Sequence, residues 1–116
     1  MKILNTLLLA AGVLAAGQVA AQDGSAGKGH EVFQHWCAAC HKPISEYVSS
    51  VPGTTALETK YKGAKPAALE QRTDLTPDFV SMIVRQGVMS MPFFRKTEIS
   101  DADLSALTQY LSRGKR

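Results

Sequence analysis

The chain has 116 residues, which is enough for one small domain. Its 13 basic and 10 acidic side chains nearly balance, and this argues against a nucleic-acid-binding protein or one held on an anionic membrane surface. A domain of this size is also marginal on the volume of its own apolar core.

Residues 1–21 have the pattern of a secretory signal peptide. Lys2 gives a short positive start, residues 3–16 are mostly apolar, and Val19-Ala20-Ala21 is a small-residue cleavage site. We predict cleavage after Ala21, which leaves residues 22–116 as one domain in the periplasm. A retained membrane anchor is the less favoured alternative, because the apolar stretch is short and ends in a processing signal.

A first helix is predicted from an N-cap at Ser25 to the motif that begins at Cys37. Within it Gly29, Phe33 and Cys37 recur at four-residue steps and so lie along one side of the helix. A glycine on a packed face allows another helix to approach closely. We therefore expect a helix crossing near Gly29.

The motif Cys37-Ala38-Ala39-Cys40-His41 is typical of covalent haem attachment. Two thiols one helical turn apart reach the vinyl groups on one edge of a porphyrin, and the histidine then lies under the ring as the proximal iron ligand. A thioredoxin-like dithiol would need a βαβ pattern that is not found here, and a disulfide between residues three apart would be strained. A closed zinc site needs four ligands, and His30 and His35 are the only histidines or cysteines outside the motif. We predict one haem c tethered by Cys37 and Cys40, with His41 on the iron.

Residues 42–74 show no helical periodicity and are interrupted by prolines and glycines. A segment of this length in a compact domain is expected to wrap a ligand or contact a partner. Tyr47 and Tyr61 can hydrogen-bond haem propionates, although half-buried packing is the commoner role of such tyrosines. Arg72 is a propionate candidate by charge, with a solvated surface arginine as the alternative.

Two further helices follow. Thr76-Pro77-Asp78 opens the first with an N-cap and a proline in the first turn, and Gly87 ends it. Ser100 with Asp103 caps the second. No strand-like alternation of any length appears, so we predict an all-α fold. The inner face of the first of these helices is predicted to consist of Phe79, Met82, Ile83 and Gln86.

A methionine is the favoured second ligand of the haem iron. Pro92 biases Met91 toward an extended backbone in a rigid loop, and this points its thioether inward. Met89 is one strand pitch away on the same side, so that spacing alone does not exclude it. Met82, on a helix face, is assigned to core packing, and the alternative that neither loop methionine binds iron stays open.

Together these residues resemble a class I cytochrome c. The resemblance covers essentially the whole mature chain and implies three to five helices wrapped around one covalent haem, with His41 and Met91 as axial ligands. It also implies that the first and last helices cross. The residues that carry it are Gly29, Phe33, the 37–41 motif, the 87–92 stretch and the 100–111 helix with Leu107 and Tyr110.

The same resemblance implies a haem environment. In the family, the backbone carbonyl of a proline after the motif holds the histidine; Pro66 best matches that proline, and Pro52 stays open as the alternative. Trp36, Tyr61 and Arg72 are assigned to the haem environment with Pro66.

Residues 66–94 are similar, more narrowly, to the small cytochrome subunits of flavocytochromes that oxidise para-alkylphenols, of the p-cresol methylhydroxylase and eugenol hydroxylase type. This implies a periplasmic electron-transfer protein that is not itself an enzyme. It would accept electrons from a flavin-dependent dehydrogenase subunit and pass them to a downstream redox carrier of the respiratory chain. The alternatives are a haem sensor or peroxidase-like protein with an open sixth site, and a haem subunit that mainly stabilises its partner.

The predicted contact surface for that partner surrounds the haem edge. Its residues are small or apolar and carry few charges, so we expect an interface held by apolar burial with a modest salt dependence. Phe93 is the candidate anchor, with packing inside the fold as the alternative. The surface consists of Ala38, Ala39, Lys42, Met89, Ser90 and Phe93.

Overall fold

The computed structural model describes residues 20–45, 48 and 50–114, with side chains from Gly24 onward. Residues 1–19 of the predicted signal peptide lie outside the described residues, as does Tyr47. The elements are α1 (Ala20–Trp36), α2 (Ala38–His41), α3 (Pro52–Tyr61), a 3₁₀ turn (Leu69–Gln71), α4 (Pro77–Gln86) and α5 (Asp101–Ser112). The described part of the chain contains no strand beyond two isolated bridges, so the predicted all-α class is confirmed. None of its helices is both long and apolar enough to cross a bilayer.

Helices α1 and α5 pack along each other, and Gly29 lies at their crossing. A Cβ atom on Gly29 would lie 2.5 Å from Cβ of Tyr110 and closer still to the Ala106 carbonyl oxygen, so only glycine allows this approach. Phe33 and Leu107 are fully buried beside it. The predicted crossing is therefore confirmed.

The start of α1 differs from the prediction. The helix begins at Ala20, so Ser25 lies inside it rather than at its N-cap. The Ser25 hydroxyl instead donates to the side-chain carbonyl oxygen of Gln109 on α5, at 3.3 Å. Alanine and glutamine before Ser25 favour helix, and no proline stops it there.

Helix α3 lies in the segment where the sequence predicted none. Thr54 is its one buried residue among the described side chains. The Thr54 hydroxyl donates to the Lys42 carbonyl oxygen at 2.8 Å. A helix that buries a single polar residue has no apolar stripe, and periodicity therefore could not reveal it. Pro52, interpreted as a break, instead occupies the first turn of α3, where a proline is tolerated.

The inner face predicted for α4 is wrong by about one residue. Val80 and Val84 are buried in the core, whereas Phe79 and Met82 are 45% and 43% exposed. Apolar residues on α4 form two overlapping stripes, and helical spacing alone does not choose between them. Packing against α5 selects the valine stripe. Met82, which the sequence assigns to core packing, is therefore largely outside the core.

The predicted N-caps of the last two helices are confirmed. The Thr76 hydroxyl accepts from the backbone N–H of Phe79 at 3.1 Å, and the Ser100 hydroxyl accepts from that of Asp103 at 3.0 Å. Each cap satisfies a donor at a helix start that would otherwise be unpaired.

Candidate haem-binding site

The motif that begins at Cys37 forms its own short turn of helix after α1. The backbone N–H groups of Cys40 and His41 both donate to the Cys37 carbonyl oxygen, at 3.0 and 2.9 Å. Cys37 itself continues from α1, since its N–H donates to the Phe33 carbonyl oxygen at 2.9 Å. The two cysteines therefore lie one turn apart on a helix whose start is fixed by the core residue Phe33.

The two thiols lie in different environments, and both are free of disulfide bonds. Cys37 is buried, and this burial, followed by the charge of Cys40, raises the pKa of its thiol to about 11. Cys40 is exposed. A thiol with a raised pKa stays protonated at neutral pH.

The His41 imidazole is packed against the first turn of α3. A Cβ atom on Gly53 would lie 2.6 Å from Cε1 and 2.8 Å from Nδ1 of His41, and 2.6 Å from the Cys40 carbonyl oxygen. Nδ1 is buried and has no hydrogen-bond partner among the described residues. Burial lowers the pKa of His41, which favours the neutral imidazole that a metal requires.

The two candidate prolines lie in different places. Pro52 starts α3, whose next residue contacts the His41 ring. Pro66 follows α3 and lines a surface pocket with Glu58, Lys65 and Gln71, among others. The structure therefore places Pro52 beside His41, and the role assigned to Pro66 stays a prediction.

Met91 closes a tight turn after α4. The backbone N–H of Val88 donates to the Met91 carbonyl oxygen at 3.1 Å, and the N–H of Met91 donates to the Val88 carbonyl oxygen at 2.9 Å. Met89 lies at the tip of this turn with a positive φ of 51° and is fully exposed, at 101% of its reference area. Met91 is partly buried. The turn therefore directs one methionine toward the protein and the other into solvent.

Trp36 links the haem motif to the methionine loop. Its ring stands edge-on to that of Phe94, with the centroids 5.7 Å apart. Trp36 directly precedes Cys37, and Phe94 follows Met91 by three residues. This aromatic contact brings the haem motif and the methionine loop to the same part of the molecule.

Residues 24–111 match the protein family described as cytochrome C oxidase, cbb3-type, subunit III. The chain belongs to this cytochrome c family. The cytochrome is also 28% identical over 110 residues to the 4-cresol dehydrogenase (hydroxylating) cytochrome c subunit of Pseudomonas putida, with 95% of this chain and 80% of that protein covered. No solved structure matches it. The predicted resemblance to a class I cytochrome c of this type is confirmed.

Membership of the family implies that the cofactor of the cytochrome is a covalently bound haem c with its iron. The residues of the motif fit that group. Two free thiols lie one turn apart, and His41 follows directly, with a pKa lowered by burial and a buried Nδ1 that has no partner in the described part of the chain. A ligating histidine usually donates its second ring N–H to a backbone carbonyl, and the Pro52–Gly53 backbone lies on that side of the ring.

Arg72 and Tyr61, both assigned to the haem environment, contact each other. Arg72 is buried, and its Nε and Nη2 donate to the two carboxylate oxygens of Asp74, each at 2.7 Å. Its Nη1 donates to the Tyr61 hydroxyl at 2.9 Å. Lys65 donates to the same carboxylate at 2.7 Å. The guanidinium is thus held as a fork on Asp74, and contact with a propionate stays a prediction for both residues.

Sequence reasoning missed the contacts of three residues in the segments around the haem motif and the methionine loop. Gly53 was interpreted only as an interruption, although the Pro52–Gly53 pair is compatible with the start of a helix. Asp74 stands two residues after Arg72, and this proximity was its one local signal. Arg85 lies in the last turn of α4, and no local pattern shows that it bonds to residues up to 16 positions away.

Proposed function

We propose that this cytochrome carries electrons one at a time in the periplasm, from a dehydrogenase subunit to a respiratory carrier. Cys37 and Cys40 hold the haem through thioether bonds, and His41 and Met91 bind its iron. The bound haem iron supplies the one-electron chemistry, and a methionine ligand favours its ferrous state relative to a more basic ligand. The protein's own residues fix the haem and orient the ligands.

The assignment of Met91 rests mainly on the contrast between the two loop methionines. Met89 is fully exposed at a left-handed turn position, whereas Met91 is partly buried. The Trp36–Phe94 contact supports a ligand from this loop, because it holds the methionine loop beside the haem motif. Nδ1 of His41 faces α3, which leaves Nε2 as the nitrogen for the iron.

The periplasmic location is proposed from the signal-peptide pattern of residues 1–21. The donor is proposed from the relative, which is the cytochrome c subunit of a dehydrogenase. We propose a flavin-dependent dehydrogenase subunit that oxidises an alkylphenol as the partner here. The cytochrome itself binds no organic substrate in this scheme and is not catalytic alone.

The partner contact is proposed on the loop that carries Met91. Phe93 and Met89 are 59% and 101% exposed, so both present apolar surface that the described part of the chain does not cover. Ala38, which the sequence placed in the same surface, is buried and is removed from it. Exposed aromatic and methionine side chains are the residues that protein interfaces favour.

A haem sensor or peroxidase-like protein is the competing function. Either protein needs an open sixth site, and a peroxidase-like enzyme also needs an acid or base beside it. The residues around Met91 in the 88–94 run carry no titratable side chain. The electron-transfer function is therefore the better supported one.

The test uses protein purified from the periplasm. Its intact mass should equal residues 22–116 plus one haem, and a mass equal to the bare polypeptide would reject the attachment. The ferric wild-type protein and Met89→Ala should both show the far-red methionine-to-iron absorption band. Met91→Ala should lose this band and have a lower midpoint potential. If Met89→Ala alone loses the band, Met89 is the ligand; a wild-type protein without it has an open or differently filled site.

The partner is tested separately by co-expression with a candidate dehydrogenase subunit. The two chains should co-elute in size-exclusion chromatography, and addition of an alkylphenol should reduce the haem. Separate elution without haem reduction at any salt concentration would reject the proposed partner and leave a freely diffusing carrier.

A further inference from the structure

The Arg85 guanidinium crosses the segment that joins α4 to α5. Its Nη1 donates to two backbone carbonyl oxygens, that of Phe94 at 3.0 Å and that of Ile99 at 2.8 Å. Its Nη2 donates to Oδ1 of Asp101, at the start of α5, at 3.0 Å. The side chain is only 22% exposed. One side chain thus connects the end of one helix, the connecting segment and the start of the next helix.

The loop of residues 87–94, which carries Met91, is closed at its base by the same turn of α4. The backbone N–H of Gly87 donates to the Ile83 carbonyl oxygen, and that of Phe94 donates to the Val84 carbonyl oxygen, both at 2.8 Å. Phe94 is therefore held through both its N–H and its carbonyl, the second of these by Arg85. The loop begins and ends on α4, and Arg85 holds its return end.

Arg85 donates hydrogen bonds to backbone carbonyl groups that solvent reaches poorly. Ile99 is fully buried, and its carbonyl accepts from the guanidinium. Removal of a charged donor leaves such acceptors unpaired, and a lysine cannot replace it fully, because an ammonium lacks the planar fork that reaches several acceptors. Of the backbone hydrogen bonds described for Phe94, only the one from its N–H would then hold the return end of the loop.

We propose that Arg85 is a positioning residue for the iron ligand Met91. It holds the return end of the 87–94 loop against α4, which keeps the loop closed and opposes displacement of the methionine by an external ligand. The hydrogen bonds described for Arg85 go to the backbone of Phe94 and Ile99 and to Asp101, so its effect on Met91 is indirect. The inference rests on the proposed His41 and Met91 ligation.

The consequence is measurable as a change in ligand competition. An external ligand such as imidazole binds ferric iron only when Met91 leaves it, so its apparent affinity scales with the fraction of open loop. Arg85→Met removes the donors and keeps a long apolar stem. Lys96→Met is the matched control, because Lys96 pairs at 2.7 Å with the other oxygen of Asp101 through an exposed ammonium.

The experiment titrates the ferric holoproteins with imidazole and follows the far-red methionine-to-iron band. We expect imidazole to bind about 10- to 100-fold more tightly to Arg85→Met than to wild type, from the loss of hydrogen bonds to a charged donor. Arg85→Lys should lie between the two, and Lys96→Met should match wild type. Midpoint potentials should fall in the same order, from wild type through Arg85→Lys to Arg85→Met.

The outcomes separate a positioning role from a structural one. If Arg85→Met lowers only the urea midpoint of global unfolding, with imidazole affinity and potential unchanged, the inference is rejected. If Arg85→Met yields no holoprotein, Arg85→Lys decides, and a wild-type imidazole affinity in that variant also rejects it. A wild-type protein without the far-red band rejects the proposed methionine ligation itself, and with it this inference; a wild-type band together with unaffected variants rejects only the role of Arg85.

Discussion

Residues 42–74 and residues 87–100 both connect helices and both approach a proposed iron ligand, but different forces hold them. The first segment meets His41 by close packing, with Gly53 in the first turn of α3 against the imidazole ring. The second segment is held around Met91 by hydrogen bonds from the last turn of α4, including those of Arg85. A closely packed contact is disturbed by added side-chain volume, whereas a loop closed by hydrogen bonds is disturbed by the loss of a donor.

This difference suggests unequal roles for the two sides of the haem. A side chain fixed by dense packing has no room for a second arrangement, which suits a ligand that stays on the iron. A loop closed by a few hydrogen bonds can open locally without unfolding of the core. The His41 side should therefore respond mainly to added volume, and the Met91 side mainly to lost donors and altered backbone geometry.

The largest effect is expected from Gly53→Ala. The added Cβ would lie 2.6 Å from both the Cys40 carbonyl oxygen and Cε1 of His41, and a backbone carbonyl cannot move aside as a flexible side chain can. We expect a loss of at least about 3 kcal/mol in the free energy of unfolding, at the upper end of overpacking costs. The yield of periplasmic holoprotein and its urea unfolding midpoint measure this effect.

Gly63→Ala is the control for Gly53→Ala within the same segment. Gly63 has no neighbouring atom within 4 Å of a Cβ atom but has a positive φ of 83°, so this variant carries only the backbone cost, about 1–2 kcal/mol. If Gly53→Ala is no less stable than Gly63→Ala, the close packing on His41 is not what holds the first segment.

Gly87→Ala is the corresponding change on the Met91 side, and a smaller loss of stability is expected from it. Gly87 has a positive φ of 70°, and an added Cβ would lie 2.7 Å from the Met91 carbonyl oxygen. Because the loop can open while the core stays folded, we expect about 2 kcal/mol from the positive-φ backbone, which favours glycine, and from the local contact. Haem content should stay near wild type while the far-red band weakens. A low haem content, with a wild-type band in the holoprotein that remains, would reverse the comparison between the two sides.

The sequence predicts the two sides to different degrees. His41 belongs to a five-residue motif whose spacing alone indicates its chemistry, and Thr76, Gly87 and Ser100 mark helix ends through local rules. Met91 was favoured over Met89 by the proline that follows it, but the exposure of Met89 depends on a left-handed turn that no residue type announces.

The missed features share a physical cause. Helix α3 buries almost nothing apolar among its described side chains, so it has no periodic pattern. The valine stripe of α4 is chosen by α5, which lies elsewhere in the sequence. Arg85 bonds to backbone carbonyls, and any residue type supplies a carbonyl. Contacts of these kinds depend on the assembled fold, and a single sequence does not record them.

The smallest effect concerns the network of Arg72, Asp74 and Lys65 in the first segment. The Asp74 carboxylate accepts two hydrogen bonds from Arg72 and one from Lys65, and these hold its pKa well below the usual range. A carboxyl whose folded pKa is depressed stabilises the protein fully above its unfolded pKa, about 3.9, and loses that contribution as the pH falls further. Because the Asp74 side chain is 41% exposed, solvent screening keeps the contribution near 1 kcal/mol.

Asp74→Asn tests whether charge, rather than shape, makes this network matter. The variant should be about 1 kcal/mol less stable than wild type in urea at pH 7, and the gap should shrink between about pH 4 and pH 2 as the wild-type carboxyl takes up its proton. Lys65→Met keeps the Arg72 fork and should retain most of the wild-type pH dependence. A stability gap that stays constant from pH 7 to pH 2 would show that the Asp74 charge contributes nothing to the stability of the first segment.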